Sequence, residues 1–166
     1  IACLSCGATL KSTAFATFEE SGFKKTELKC PSCDKFIINA GFTLRYYCGY
    51  ALPDSSAILR NLISNDLSAS RFFEDFTILL APVVRKECDG TPRGKKEFEA
   101  LWKYNAIGRI RLESIGKVEE IPDNLLNSVR DERIVETCLE YNAILVTADK
   151  SMSAFAGGKN VFTILI

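Results

Sequence analysis

From about residue 46 onward the chain alternates short apolar runs with stretches of helical periodicity, and this alternation constrains the fold more than any other feature. Runs such as Thr77–Leu80 and Ala143–Thr147 are apolar at nearly every position, which is typical of strands buried on both faces. Such strands, when they alternate with helices, occur in mainly parallel sheets that helices cover on both sides. We therefore predict a three-layer α/β fold with a central, mainly parallel sheet. The predicted strands are Tyr46–Leu52, Thr77–Leu80, Ile110–Ile115, Ala143–Thr147 and Val161–Ile166.

The segments between these strands carry apolar residues at helical spacing. Pro122 and Asp123 break the pattern before the longest of them, and residues 89–94 are rich in turn formers, which predicts a loop. The predicted helices are Ser56–Ser64, Ala69–Asp75, Val83–Cys88, Lys95–Ala106, Ser128–Asn142 and Ser151–Ala156.

Four of the seven cysteines fall near the beginning of the chain as two Cys-x-x-Cys pairs. Cys3 and Cys6 form the first pair, Cys30 and Cys33 the second, and the 23 residues between them leave room for a β-hairpin. Two intervening residues let both thiolates of a pair reach one ion, and four thiolates form a tetrahedron that Zn²⁺ prefers. We therefore predict a zinc ribbon with four cysteine ligands over residues 1–42 that needs its metal to fold, followed by a second domain over residues 43–166.

The cysteine pairs have other interpretations. A redox pair needs a helix start within a βαβ unit, and neither pair has that context. The zinc is either purely structural or part of a nucleic-acid surface that includes Phe23, Lys24 and Lys25, although nearby glutamates dilute its charge. An odd number of cysteines with metal-type spacing favours a reducing cytoplasm over a secreted disulfide framework.

The composition narrows the classes of function. The chain has 166 residues, of which 47% are hydrophobic, enough for a cored domain and a small module. Its net charge is zero, so the overall balance does not require a nucleic-acid partner. Histidine is absent, which excludes Ser-His and Cys-His nucleophiles and His-ligated metals. No apolar run approaches the ~20 residues of a membrane span, and no signal-peptide pattern is present. We therefore expect a cytoplasmic protein with no membrane partner.

Four carboxylates are expected at one edge of the sheet. Asp54 and Asp149 each follow a predicted strand after one intervening residue. Glu87 lies one turn into the helix after the second strand, and Asp131 stands at the N-terminal end of an apolar helix stripe. Open α/β sheets bind ligands at the carboxyl ends of their strands. Four neighbouring carboxylates cannot all remain ionised unless a cation neutralises them. Oxygen donors without His or Cys suit Mg²⁺ or Mn²⁺.

Each acid also has a simpler interpretation. Asp54 suits an N-cap, with the neighbouring serines as competitors, and Asp149 suits a turn. Asp131 suits the positive end of a helix dipole, and Glu87 suits a solvated rim. The set of four, rather than any single member, favours a metal site. The competing carboxylates are Glu97 and Glu99 for the position of Glu87, and Glu132 and Asp123 for that of Asp131.

The residues around the four acids resemble the four motifs of the PIN-domain family, in order. The motifs are Asp54-Ser55-Ser56-Ala57 after a strand, Pro82-Val83-Val84-x-x-Glu87, Asp131-x-x-Ile134, and Leu145-Val146-Thr147-x-Asp149. The resemblance covers about residues 44–166. It implies a five-stranded parallel sheet and a metal-dependent nuclease that cuts RNA, usually single-stranded. It also implies that Asp54, Glu87, Asp131 and Asp149 are the catalytic metal ligands, with Ser55 or Ser56, and Thr147, as polar supports.

The expected function is therefore that of an endoribonuclease with structural Zn²⁺ and catalytic Mg²⁺ or Mn²⁺. A zinc ribbon joined to a PIN domain is similar to the endonucleases that mature small-subunit ribosomal RNA, although in those the ribbon follows the nuclease domain. The alternatives are a non-catalytic RNA- or protein-binding module and a toxin-type RNase. The expected partner is single-stranded RNA, and a homo-oligomer or an association with the ribosome is left open. Residues 85–111 include eight basic residues and four acids. This surplus of positive charge suits either a surface that binds an RNA backbone or a solvent-exposed helix face.

Overall fold

The computed structural model describes residues 6–8, 15–20, 23–28, 30, 32–35, 49–69, 71–74 and 76–166. Five of its strands form one all-parallel sheet in the order β5-β4-β3-β6-β7. This confirms the predicted α/β class with a central, five-stranded parallel sheet. The five strands are β3 (Tyr50–Pro53), β4 (Thr77–Leu80), β5 (Arg111–Ser114), β6 (Ile144–Thr147) and β7 (Thr163–Leu165).

In the described part of the chain, six α-helices connect and cover these strands. The chain moves from β3 outward to β4 and β5, and then returns past β3 to β6 and β7. Because parallel crossovers are right-handed, this reversal sends the last two helices to the opposite face of the sheet from the first four. The helices are α1 (Ser55–Leu59), α2 (Leu62–Ser68), α3 (Pro82–Cys88), α4 (Pro92–Ala106), α5 (Asn127–Tyr141) and α6 (Lys150–Gly158).

The core lies between the helices and the sheet. All four residues of β4 and all four of β6 are buried, as the apolar runs predicted. Fully buried side chains such as Leu52, Ile78 and Leu145 come from neighbouring strands. The order reversal between β3 and β6 therefore opens a crevice at the carboxyl ends of two central, rigid strands.

The largest differences from the predicted helices lie between residues 56 and 74. The predicted helix Ser56–Ser64 is two helices, because Asn61 adopts a left-handed backbone (φ 56°) between them. The predicted helix Ala69–Asp75 is wrong: α2 ends at Ser68, and the Asp66 carboxylate accepts the Phe73 N–H at 3.0 Å, which stabilises a turn.

The predicted loop at residues 89–94 is shorter than expected, because α4 begins at Pro92. The Thr91 hydroxyl accepts the Gly94 N–H at 3.0 Å and caps the helix, and proline is well tolerated in the first turn. The helix thereby gains its first three residues.

Two further strands lie between the cysteine pairs. β1 (Phe15–Glu20) and β2 (Phe23–Leu28) form a separate antiparallel pair, in a register that joins Phe15 to Leu28 and Glu20 to Phe23. This agrees with the hairpin that the spacing of the cysteines predicted. In the described ranges, no helix has both the length and the apolar character needed to cross a bilayer.

Candidate active site

The four predicted acids line one pocket. Asp54, Glu87, Asp131 and Asp149 border a cavity of about 420 Å³, together with the serines that follow Asp54. Asp54 follows β3 and Asp149 follows β6, so these two lie on either side of the point where the strand order reverses. Glu87 reaches the cavity from α3 and Asp131 from α5. We call this cavity the acidic pocket.

Asp54 is fixed by hydrogen bonds to both of its carboxylate oxygens. Its Oδ1 accepts the Ala57 N–H at 2.8 Å and the Ser56 hydroxyl at 2.7 Å, and its Oδ2 accepts the Thr147 hydroxyl at 2.5 Å. The side chain is only 5% exposed. Asp54 is therefore the N-cap of α1, as the simpler interpretation had it, and it still has acceptor capacity on Oδ2 for a ligand.

Asp149 likewise caps a helix, α6, with one carboxylate oxygen and keeps the other available for a ligand. Its Oδ1 accepts the Ser151 N–H at 2.7 Å, the Ser151 hydroxyl at 2.6 Å and the Met152 N–H at 3.4 Å. The two Ser151 donors hold the pKa of Asp149 below its ordinary value. Within the described part of the chain no donor reaches Oδ2, which leaves that oxygen available in the pocket.

Glu87 is held between a hydroxyl and a guanidinium. Its Oε2 accepts the Ser55 hydroxyl at 2.6 Å, and its Oε1 lies 3.5 Å from Nη1 of Arg130. Ser55 and Ser56 thus support two different acids, and Thr147 supports Asp54.

Asp131 has no protein hydrogen-bond donor beside it among the described residues. Its pKa is raised, first by partial burial and then by the negative charges of Asp149, Asp54 and Glu87. Arg130 opposes this shift but does not cancel it. The pocket therefore carries more negative charge than its own cations neutralise.

The spacing of the acids suits a hydrated cation better than a dry one. No three of their oxygens lie within 4.8 Å of one another, since only a group of cysteines meets that limit in the described ranges. Mg²⁺ usually keeps several of its waters and binds proteins through one or two carboxylates. An oxygen-lined cavity of this size with excess negative charge fits that ion, or Mn²⁺.

The cysteines form a second candidate metal centre. The thiols of Cys6, Cys30 and Cys33 lie within 4.8 Å of one another, and the Sγ atoms of Cys6 and Cys30 are 3.5 Å apart. Four sulfurs at about 2.3 Å from a tetrahedral Zn²⁺ would be about 3.8 Å apart, so the three fit one ion. Cys3, the predicted fourth ligand, lies outside the described residues.

The competing carboxylates lie elsewhere. Glu97 is fully buried and accepts both the Ser64 N–H, at 3.0 Å, and the Ser64 hydroxyl, so it caps the start of α2 from a neighbouring helix. Burial raises the pKa of Glu97. Asp123 pairs with Lys86 at 2.6 Å, which lowers its pKa. Glu99 and Glu132 are exposed and do not line the acidic pocket.

Sequence reasoning missed Arg130. It lines the acidic pocket from α5, directly before Asp131, and its guanidinium lies 3.5 Å from Glu87. Its position directly before the predicted acid Asp131 was the available signal. That signal is weak, because a basic residue in a first helical turn is usually solvated.

Comparison with known proteins supports the fold. No protein-family model and no curated protein matches the sequence significantly. A domain of a functionally unknown protein from Methanocaldococcus jannaschii DSM 2661 superposes with a TM-score of 0.59 and 22% identity, over 70% of this chain and 90% of that one. A PilT N-terminus domain protein from Sulfolobus solfataricus P2 gives a TM-score of 0.40 and 13% identity, over 70% of this chain and 86% of that one.

Proposed function

We propose that this protein is a metal-dependent endoribonuclease of the PIN type, with the acidic pocket as its active site. One observation carries the proposal: four carboxylates from four separate elements converge on one cavity at the reversal point of a parallel sheet. The two acids at the strand ends are fixed by caps, which gives the site a rigid base. The order of the motifs that resemble the PIN family supports the choice of nuclease class.

The reaction would be phosphodiester hydrolysis. A water oxygen attacks phosphorus, the bond to the 3′ oxygen breaks, and the products are a 5′-phosphate and a 3′-hydroxyl. A bound Mg²⁺ or Mn²⁺ supplies acidity to the water and neutralises charge at the phosphate. Asp54 and Asp149 would hold the cation with the oxygens that their caps leave available, and Glu87 and Asp131 would hold its waters.

Arg130 would bind the phosphate. A guanidinium in a pocket of acids is the group that attracts the substrate's anion, and its pairing with phosphate is stronger than that of a neutral donor. Arg130 now contacts Glu87 at 3.5 Å, which is a long ion pair that substrate can replace. The described lining of the pocket thus offers acceptors for a cation and one basic side chain for an anion.

The N-terminal part would be a separate zinc-binding module. We propose a boundary near residue 42, with a four-thiolate site completed by Cys3 and the hairpin β1–β2 between the pairs. The two sites differ in chemistry: thiolates suit Zn²⁺ and carboxylates suit Mg²⁺ or Mn²⁺. Mn²⁺ binds a given site more weakly than Zn²⁺, so it should not displace Zn²⁺ from the thiolates.

The test is cleavage of 5′-labelled single-stranded RNA in Mn²⁺ by the purified protein. We expect Asp54→Asn and Asp149→Asn to abolish cleavage, and the products to carry 5′-phosphates. Glu132→Gln is the matched control, because it removes a neighbouring exposed carboxylate outside the pocket and should leave activity intact. Cleavage that survives both aspartate variants would exclude this site, and RNA binding without cleavage would favour a non-catalytic module.

A further inference from the structure

A second cavity lies on the other side of α3. It has a volume of about 250 Å³ and is lined by Trp102 and Phe98 from α4, Arg85 from α3, Asp89 directly after α3, and Ser114 at the end of β5. Trp102 is the only tryptophan of the chain and is 50% exposed. Its indole N–H has no hydrogen-bond partner in the described ranges. An aromatic wall beside hydrogen-bonding groups is the composition of a site for a planar, polar ring.

The guanidinium of Arg85, which lines this cavity, has no carboxylate partner among the described residues. Nη2 of Arg85 donates to the carbonyls of Ile115 and Gly116 at 3.1 and 2.7 Å, and its Nε is buried without a hydrogen-bond partner among the described residues. In the described part of the chain, no carboxylate lies within 4.0 Å of this guanidinium, although Asp89 lines the same cavity. Arg85 is thus fixed by two carbonyls, and no described carboxylate pairs with it.

The outer face of α4 extends this positive charge. It carries four exposed basic residues against one exposed acid, Glu99. None of the four forms an ion pair with any described residue. The remaining acid of the helix, Glu97, is buried and directed to Ser64. The four basic residues are Arg93, Lys95, Lys96 and Lys103.

Helix α3 lies between the cavity beside Trp102 and the acidic pocket, and residues on its two sides line both. Arg85 and Asp89 are four residues apart and share one face, whereas Glu87 lies about 200° around the helix and lines the acidic pocket. A helix is about 10–12 Å across, which equals roughly three nucleotides at a stacked rise of ~3.4 Å. One strand of RNA can therefore occupy both cavities.

We infer that the Trp102 cavity is a subsite that stacks one base of a single-stranded RNA, whose backbone passes the basic face of α4 and crosses α3 to the acidic pocket. The inference rests on the proposed function for its choice of ligand. Single-stranded nucleic acids are bound by this combination, in which aromatic side chains stack the bases and a basic groove follows the backbone. The subsite fixes which phosphate reaches the acids, about three nucleotides away.

The test uses the full chain and a ten-nucleotide RNA in buffer without added Mg²⁺ or Mn²⁺, so that binding is measured without cleavage. Because Trp102 is the sole tryptophan, its fluorescence reports directly on stacking. We expect saturable quenching by the unlabelled RNA. With fluorescein-labelled RNA, anisotropy should show binding about 5- to 150-fold weaker for Trp102→Ala and near wild type for Trp102→Phe. Ile107→Ala, an exposed apolar residue at the end of the same helix, is the matched control.

Three results would overturn the subsite: no RNA binding, binding without quenching, or equal affinity of Trp102→Ala and the wild type. The last is also the result expected if this surface binds a protein instead. If Trp102→Ala does not fold, as judged by circular dichroism, the quenching of the wild type still decides. Quenching without cleavage in Mn²⁺ would reject the nuclease and leave the subsite standing, so the two proposals fail separately.

Discussion

The Thr147 hydroxyl donates a hydrogen bond of 2.5 Å to Oδ2 of Asp54, across 93 positions of the chain. The same hydroxyl oxygen accepts the Asp149 N–H at 2.9 Å, so one side chain links the two strand-end acids of the acidic pocket. Thr147 is fully buried at the end of β6. A short, charge-assisted bond in this position fixes the orientation of the carboxylate.

Removing that hydroxyl should cost both stability and activity. Thr147→Val keeps the side chain's shape but leaves Oδ2 of Asp54 without its donor, so we expect a loss of about 1–3 kcal/mol in the free energy of unfolding. RNA cleavage should fall by about 10- to 100-fold, which is typical for groups that orient metal ligands. Urea denaturation and initial cleavage rates measure the two effects. Thr147→Ser keeps the hydroxyl and should stay close to wild type; a fully active Thr147→Val would contradict the role.

Arg130 should act on the substrate rather than on the fold. Arg130→Gln removes the proposed phosphate donor, and we expect kcat/KM to fall by about 10- to 150-fold, as for the loss of a hydrogen bond to a charged group. Steady-state kinetics with labelled RNA measures this change. Arg133→Gln, one turn further along α5 and outside the acidic pocket, is the control and should have little effect. Equal losses in the two variants would point to general charge attraction instead.

Because the pKa of Asp131 is raised, the melting temperature of the protein and its affinity for Mn²⁺ should depend on pH. Partial burial and the three other acids favour the protonated form of Asp131 in the folded state. The stability that this protonated form provides is therefore lost as the pH rises through the folded-state pKa of Asp131. Without metal, Asp131→Asn should therefore melt at a higher temperature than the wild type at pH 7. Mn²⁺ should raise the melting temperature of the wild type, and its affinity should increase with pH because binding displaces the proton. Melting curves at pH 5 and pH 7 test this; a lower melting temperature for Asp131→Asn would contradict it.

The cysteine centre should hold one zinc ion that is independent of the acidic pocket. Cys30→Ser removes a buried ligand, and we expect the zinc content measured by atomic emission to fall from about one ion per chain to near zero. Cys88→Ala is the control, because burial raises the pKa of the Cys88 thiol to about 11 and keeps it protonated at neutral pH. Zinc that persists in Cys30→Ser would exclude the site.

Local sequence patterns were sufficient for several elements. The buried strands β4 and β6 were predictable because every residue in them is apolar or small, and the acids at strand exits were predictable because the chain must turn there. The ends of the helices were not predictable from local patterns. The break at Asn61 depends on a left-handed residue, and the turn described at residues 71–74 depends on the hydrogen bond from the Phe73 N–H to Asp66. Periodicity signals neither feature.

The sequence by itself determined the α/β class, the apolar strands, the cysteine spacing and the four candidate acids, because each depends on residues close together along the chain. Only the tertiary structure decided the strand order β5-β4-β3-β6-β7, the hydrogen bond from Thr147 to Asp54, the contact of Arg130 with Glu87 and the cavity beside Trp102. These features join residues that are distant along the chain or depend on which strands are neighbours. Such contacts arise from the packing of the whole core, and local preferences do not encode them.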